Sequence, residues 1–293
     1  MKPIRLFIRI TLLSACITAL LMISMGSQPR HKPGPQQSSQ IPRSRLAQLR
    51  AVLVVGPTEE ATRSSIEKIQ EVALYLKDLG VTVKEFYDPD AHWADICRDA
   101  KGAHIFLYSG HGTLHGNNKE AGGLCLSGRE IVSSTQIRSE LLLHKNALVL
   151  FHTVCYSAGS SAVDKSDIGI AVAARRVSEY AHPFLSLGAA GYYANNYTNS
   201  MVQFLSAFFQ QKPIKQIYTT EASRYCRIDT LMKCPYDPAY EISVASTLRP
   251  ISSTRTSVKD GVTTVEKIPA FKEYNVAFAG FPGYTVMDLF KKE

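Results

Sequence analysis

The sequence predicts an α/β fold with a mostly parallel central sheet and helices on both faces. Short runs recur along the chain that are apolar throughout rather than alternating, as strands covered on both faces are. Segments with helical periodicity separate them, and that alternation builds parallel sheets from strand–helix–strand units. The 293 residues suffice for one large domain or two small ones, and 45% apolar with 20% charged content is ordinary for a globular protein.

Taken in order, Ala51 to Val55 is an apolar run closed by Gly56-Pro57. A helix follows, with Ile66, Ile69, Val72, Ala73, Leu76 and Leu79 on one face and Gly80 as its stop. Val81, Val83 and Phe86 mark a second strand, and a short helix over 91–100 leads to a third strand, Ala103 to Tyr108. A helix over 136–143 precedes a fourth, Ala147 to Phe151. Another helix, 168–180, precedes a fifth placed at Phe184 to Leu187. Met201, Phe204, Leu205 and Phe208 then repeat at helical spacing. Beyond Pro235 the pattern weakens to loops and an edge strand, Val276 to Gly280.

Residues 1–26 read as a signal peptide or membrane anchor. Lys2, Arg5 and Arg9 precede an uncharged apolar run from Ile10 to Met25, an order that leaves the basic end in the cytoplasm. Small residues Ser24 and Gly26 suit cleavage after Gly26. A lipobox-like Leu13-Ser14-Ala15-Cys16 has too few apolar residues before it and too many after. Residues 27–47, with five prolines or glycines between Pro29 and Pro42, read as a flexible linker, and 48–293 as the folded domain. The expected location is exported or inner-membrane anchored, outside the cytoplasm in a bacterial-type envelope. The net charge of +8 gathers toward the N-terminus, with no basic and aromatic cluster suited to nucleic acid.

Apart from Cys16 the cysteines are Cys97, Cys125, Cys155, Cys226 and Cys234. Cys226 could close a short loop with Cys234 and Cys97 could reach Cys125; five reduced, buried thiols fit the residues equally.

In open sheets of this kind, sites form outside the carboxyl ends of the strands. Two strands end there in reactive groups: Ile105–Tyr108 runs into Ser109-Gly110-His111-Gly112, and Leu148–Phe151 into His152-Thr153-Val154-Cys155-Tyr156-Ser157-Ala158-Gly159. If the strands are neighbours, His111 faces Cys155. A free thiol, with a pKa of about 8.5, is only slightly ionised at neutral pH and needs a nearby imidazole to take its proton. The flanking glycines let a substrate approach and let the Gly112 and Cys155 amides point at a developing oxyanion, worth roughly 3–4 kcal/mol per donor.

These two segments resemble the signature of the caspase-like (clan CD) cysteine peptidases, which include caspases, metacaspases, legumains, gingipains, separases and CHAT domains. Ile105 to Gly112 resembles the metacaspase Ser-Gly-His-Gly segment, and Cys155 to Gly159 its Cys-x-Ser-Gly turn with one inserted residue, Ala158. Leu185 to Tyr193 looks like the next core strand and specificity turn, and 199–211 with Pro213 resembles the helical segment after that strand in CHAT domains. The likeness covers roughly residues 51–222. It implies a caspase-like three-layer sandwich and a peptidase cleaving through a thioacyl intermediate. His111 and Cys155 would be its dyad and Gly112 would supply the second oxyanion donor. Val154, where the family more often has a small or acidic residue, and Ala158 depart from the pattern.

For the substrate pocket the sequence offers Asp164 and Asp167, after the nucleophile, as partners for a basic side chain, and Tyr192, Tyr193 and Asn195 as wall residues. Asp167 equally suits a helix N-cap and the others ordinary packing. The expected partner is a protein or peptide substrate. No cofactor or metal is expected: His111 and His115 are four apart, but Gly110 and Gly112 oppose the helix that would pair them as ligands. Rival readings are an inactive binding module of this fold, a metal site drawing on His104, His144 or His152, and another acyl-transferring Cys–His enzyme. The oligomeric state has no signature.

Overall fold

The computed structural model describes residues 41–115, 120–197, 201–235, 237–248, 252–259 and 262–291. The expected membrane-directing segment, 1–26, and most of the expected linker lie outside them. Among the described residues no helix is long and apolar enough to cross a membrane. Folding begins inside the stretch read as linker: helix α1 (Arg43–Leu46) follows Pro42, and Ile41 and Leu46 are buried in the core.

Strand β1 (Arg50–Val55) leads to α2 (Thr62–Leu79), which ends at Gly80 in the left-handed conformation that caps helices. Then come β2 (Thr82–Tyr87), α3 (Trp93–Ala100) and β3 (Ala103–Ser109). A small three-stranded sheet is next, β4 (Gly112–His115), β5 (Glu120–Cys125) and β6 (Ile131–Val132). Helix α4 (Ser134–Glu140) opens on a capping box in which Ser133 and Gln136 satisfy each other's amides. It leads to β7 (Leu143–His152), α5 (Gly169–Leu185), β8 (Gly191–Asn195), α6 (Met201–Phe209) and α7 (Ile214–Tyr225). The chain closes with β9 (Cys226–Lys233), β10 (Glu241–Thr247), the hairpin β11 (Ser253–Lys259) and β12 (Val262–Ile268), and β13 (Tyr274–Gly280).

The main sheet has eight strands in the order β2-β1-β3-β7-β8-β13-β10-β9. It is mixed. The pairs from β2 to β8 are parallel, and those from β8 through β13 and β10 to β9 are antiparallel. Alternation along the parallel strands sends Val52 and Val54 to one core with Trp93, Ile137 and Val177, and Ala51, Leu53 and Val55 to the other with Ile69, Phe204 and Ile217. Helices α3, α4 and α5 therefore cover one face and α2, α6 and α7 the other.

Three expectations are corrected. The fifth strand is not Phe184–Leu187: Phe184 and Leu185 are the last, buried turn of α5, which also carries Pro183, and the strand is Gly191–Asn195. Val276–Gly280 is not at an edge, because β13 is hydrogen-bonded on both sides, to β8 and β10. Cys226 and Cys234 cannot pair, because a strand rising about 3.3 Å per residue lies between them and spans far more than a disulfide does. All five described cysteines are free.

Candidate active site

Strands β3 and β7 are parallel neighbours, with Ser109 beside His152, so both reactive segments leave the same edge of the sheet. The Ser109 and Thr153 hydroxyls lie 3.3 Å apart across the gap. Beyond it the two turns meet at their backbones. A Cβ placed on Gly112 would lie 2.0 Å from the Cys155 carbonyl oxygen and 2.6 Å from the Tyr180 hydroxyl. The residue directly after His111 thus packs on the backbone of Cys155, and only glycine fits.

Two tyrosines hold the histidine turn. The Tyr108 hydroxyl, fully buried, lies 2.9 Å from the carbonyl oxygens of both His111 and Cys125 and accepts the Cys125 amide at 3.0 Å. The Tyr180 hydroxyl accepts the Thr113 amide at 2.8 Å. Burial pushes both phenols well above their ordinary range, so they remain neutral donors. Neither stands out in the sequence. The available signal is a tyrosine in an otherwise apolar strand or helix face, whose hydroxyl must find a partner when buried.

The cysteine turn is strained. Thr153 and Tyr156, on either side of Cys155, have φ of 54° and 70°, which is unfavourable for any residue with a Cβ and more so for a β-branched one. It is held by Tyr156 N–H donating to Ser160 O, Ser157 Oγ to Val154 O, and Arg176, whose guanidinium donates to Gly159 O at 3.0 Å and lies over the Tyr156 ring. The Cys155 amide has no hydrogen-bond partner among the described residues. Cys155 itself is part-exposed, whereas Cys226 and Cys234 are buried. Burial raises the thiols of Cys97, to about 11, and of Cys125 and Cys226.

The His111 ring, 44% exposed, places Nε2 2.8 Å from Glu59 Oε2, on the turn after β1. A carboxylate only accepts, so in neutral imidazole Nε2 carries the proton and Nδ1 is left as the basic nitrogen. Glu59 is therefore expected to act as a positioning residue. Glu59→Ala should lower kcat about tenfold with KM little changed, and Glu59→Gln, which can still accept, should restore most of it. Equal loss in both variants, or loss in KM alone, would remove Glu59 from this role.

A cleft of about 250 Å³ opens beside Cys155, walled by the turn around it, residues 160–162, Asn196, Glu273 and Asn275. None of the residues proposed for a pocket from the sequence is among those lining this cleft. Asp164 is buried behind Ser161, accepting its amide at 2.8 Å and pairing with Arg176 at 2.8 and 3.1 Å. Asp167 accepts the Gly169 amide at the start of α5. Tyr192 is fully buried, donating to Ser157 O, and Tyr193 stacks on Phe204 in the opposite core. Asn195, also buried, donates to the Tyr193 hydroxyl and accepts the Tyr197 amide.

The remaining histidines are dispersed. His104 and His144 stack at 4.3 Å near the far end of β3 and β7, and His152 is buried beneath the site; the His115 side chain lies outside the described residues. Among the described residues no group of three or more potential ligands converges on a metal position. Burial, with a smaller contribution from the Lys68 charge, lowers His152 to about 4. Its protonation is thus favoured only in the unfolded chain, near pH 6.5. Its contribution is fully present above pH 6.5 and is lost as pH falls toward 4, by about 3 kcal/mol. Urea unfolding at pH 7 and 4.5 should show most of this loss in the native chain and a shallower pH dependence in His152→Gln. No family model matches the sequence, and no curated protein matches it significantly.

Proposed function

We propose that this chain is a cysteine peptidase of the caspase-like kind, with Cys155 as nucleophile and His111 as its acid–base partner. The observation that carries the reading is the contact of Gly112 with the Cys155 carbonyl, which joins the two reactive turns at the end of adjacent parallel strands. The strained turn, the unpartnered Cys155 amide and the adjoining cleft support it. The mixed sheet with helices on both faces is compatible with a caspase-like sandwich.

In the reaction, the imidazole takes the thiol proton and sulfur attacks the peptide carbonyl carbon. The amides of Cys155 and Gly112 receive the charge that develops on oxygen. The C–N bond then breaks, the imidazolium proton passes to the departing amine, and the acyl group stays on sulfur as a thioester. Water, giving a proton to the same imidazole, forms the new C–O bond as the C–S bond breaks. The acid returns to solution and the proton to the thiol. Residues 1–26 would carry the domain to or across a membrane, so the substrates would be proteins or peptides outside the cytoplasm.

A peptide library incubated with the chain tests this reading. Cleavage that requires both Cys155 and His111 supports it. Intact peptides throughout, under conditions where the fold is verified, would favour a binding module.

A further inference from the structure

We propose that the cleft beside Cys155 selects a cationic side chain, with Glu273 as its counter-charge and Asn196 as a second acceptor. This assignment rests on the peptidase reading above and adds the substrate class.

Apart from the thiol, Glu273 is the one ionisable side chain among the described residues of the cleft wall. It is exposed and enters no ion pair among the described residues. Neighbouring charges pair among themselves, Arg227 with Asp229 at 2.9 Å. Asp164 behind Ser161 is paired with Arg176, and Lys272, next to Glu273 in sequence, lies 3.8 Å from the same Asp229. The cleft wall itself presents a single negative charge, with no cation among its described lining residues.

Its polar groups include one buried acceptor with no donor. Asn196 Oδ1 is buried and accepts nothing among the described residues, while its Nδ2 donates to Asn275 Oδ1 at 3.4 Å. The Thr153 hydroxyl donates to the His152 carbonyl at 2.7 Å, and Ser160 Oγ accepts the Tyr274 amide at 2.7 Å. A buried acceptor without a donor is unfavourable, and a ligand carrying N–H groups relieves it. An ammonium or guanidinium supplies both the donors and the opposite charge. A carboxylate would meet like charge and an acceptor that it cannot satisfy. The cleft has room for a long unbranched side chain.

The strand order makes the pocket. Residues 153–162 follow β7, Asn196 follows β8, and Glu273 and Asn275 belong to the start of β13, next in the sheet. Glu273 is fixed by two bonds to Thr247, its carbonyl accepting the Thr247 amide at 2.8 Å and its amide donating to Thr247 Oγ1 at 3.3 Å.

The test uses the full chain and peptides that differ only in the residue before the cleaved bond: Lys, Arg, Gln, Leu or Asp. Lys and Arg peptides should have the highest kcat/KM. Glu273→Gln should reduce those two by roughly 10- to 100-fold while changing the Gln and Leu peptides only a few-fold. Glu273→Asp should keep the basic preference. Preference for Asp or Leu, or basic cleavage unaltered in Glu273→Gln, would overturn the assignment while leaving the peptidase reading intact. No hydrolysis of any peptide, together with no labelling of Cys155 by Lys- or Asp-bearing peptidyl ketones, would overturn both.

Discussion

Replacing Cys155 with alanine is expected to lower kcat/KM for a cleavable peptide by a factor on the order of 10³ or more, and His111→Ala by a similar factor. Without sulfur there is no atom to carry the acyl group. Without the imidazole, nothing takes the proton from the thiol and the departing amine has no proton donor. In the proposed mechanism the two groups act in one proton-transfer unit, so the double variant should be little worse than either single one. Both side chains are part-exposed, so stability should change by less than about 1 kcal/mol. Steady-state kinetics with thermal unfolding of the same samples separates the outcomes. Losses that multiply in the double variant would mean that the residues work independently.

Gly112→Ala is expected to cost both activity and stability. The added methyl would sit 2.0 Å from the Cys155 carbonyl oxygen and 2.6 Å from the Tyr180 hydroxyl. Neither neighbour yields easily: one is backbone in a turn already strained at Thr153 and Tyr156, and the other is a fully buried ring bonded to Thr113. Moving the turns apart should lower stability by about 2–3 kcal/mol. It should also displace His111 and an oxyanion donor, lowering kcat about 10²- to 10³-fold. Denaturant unfolding and kinetics measure the two effects on one preparation. A Gly112→Ala chain with native activity would show that the close approach of the two turns is irrelevant to catalysis.

The sequence made β1, β3 and β7 legible because these strands are apolar on both faces. Buried parallel strands such as Ala51–Val55 and Leu148–Phe151 declare themselves by composition, and His111 and Cys155 by ending such runs. Phe184–Leu187 misled because its apolar residues Phe184 and Leu185 face the core from the last turn of a helix, where a short apolar run looks the same as a buried strand. The true strand, Gly191–Asn195, is rich in tyrosine, and the pairing that stabilises it is long-range. The C-terminal strands carried little pattern for a different reason. The hairpin β11–β12 exposes Val262 and Val265, and β9 lies at the sheet edge, so neither shows an unbroken buried run.

The catalytic candidates were visible locally, whereas the cleft was not. Asp164 and Asp167 are close to Cys155 in sequence, and both are occupied in holding the chain, one by Arg176 and one by the Gly169 amide. Glu273 stands far along the chain, in a stretch with no motif. Only the antiparallel insertion of β13 beside β8 brings it to the thiol. Tyr108, Tyr180 and Arg176 escaped attention for the same reason, since their importance lies in which distant carbonyls and amides they reach.

The most direct measurement is intact-mass and peptide-level mass spectrometry after brief exposure of the chain to a lysine-bearing peptidyl acyloxymethyl ketone. A catalytic Cys155 should displace the acyloxy group and add one peptidyl methyl ketone per chain, located on Cys155 and lost in His111→Ala. Label spread evenly over the five described thiols, or addition to Cys155 that is indifferent to His111, would contradict the pairing.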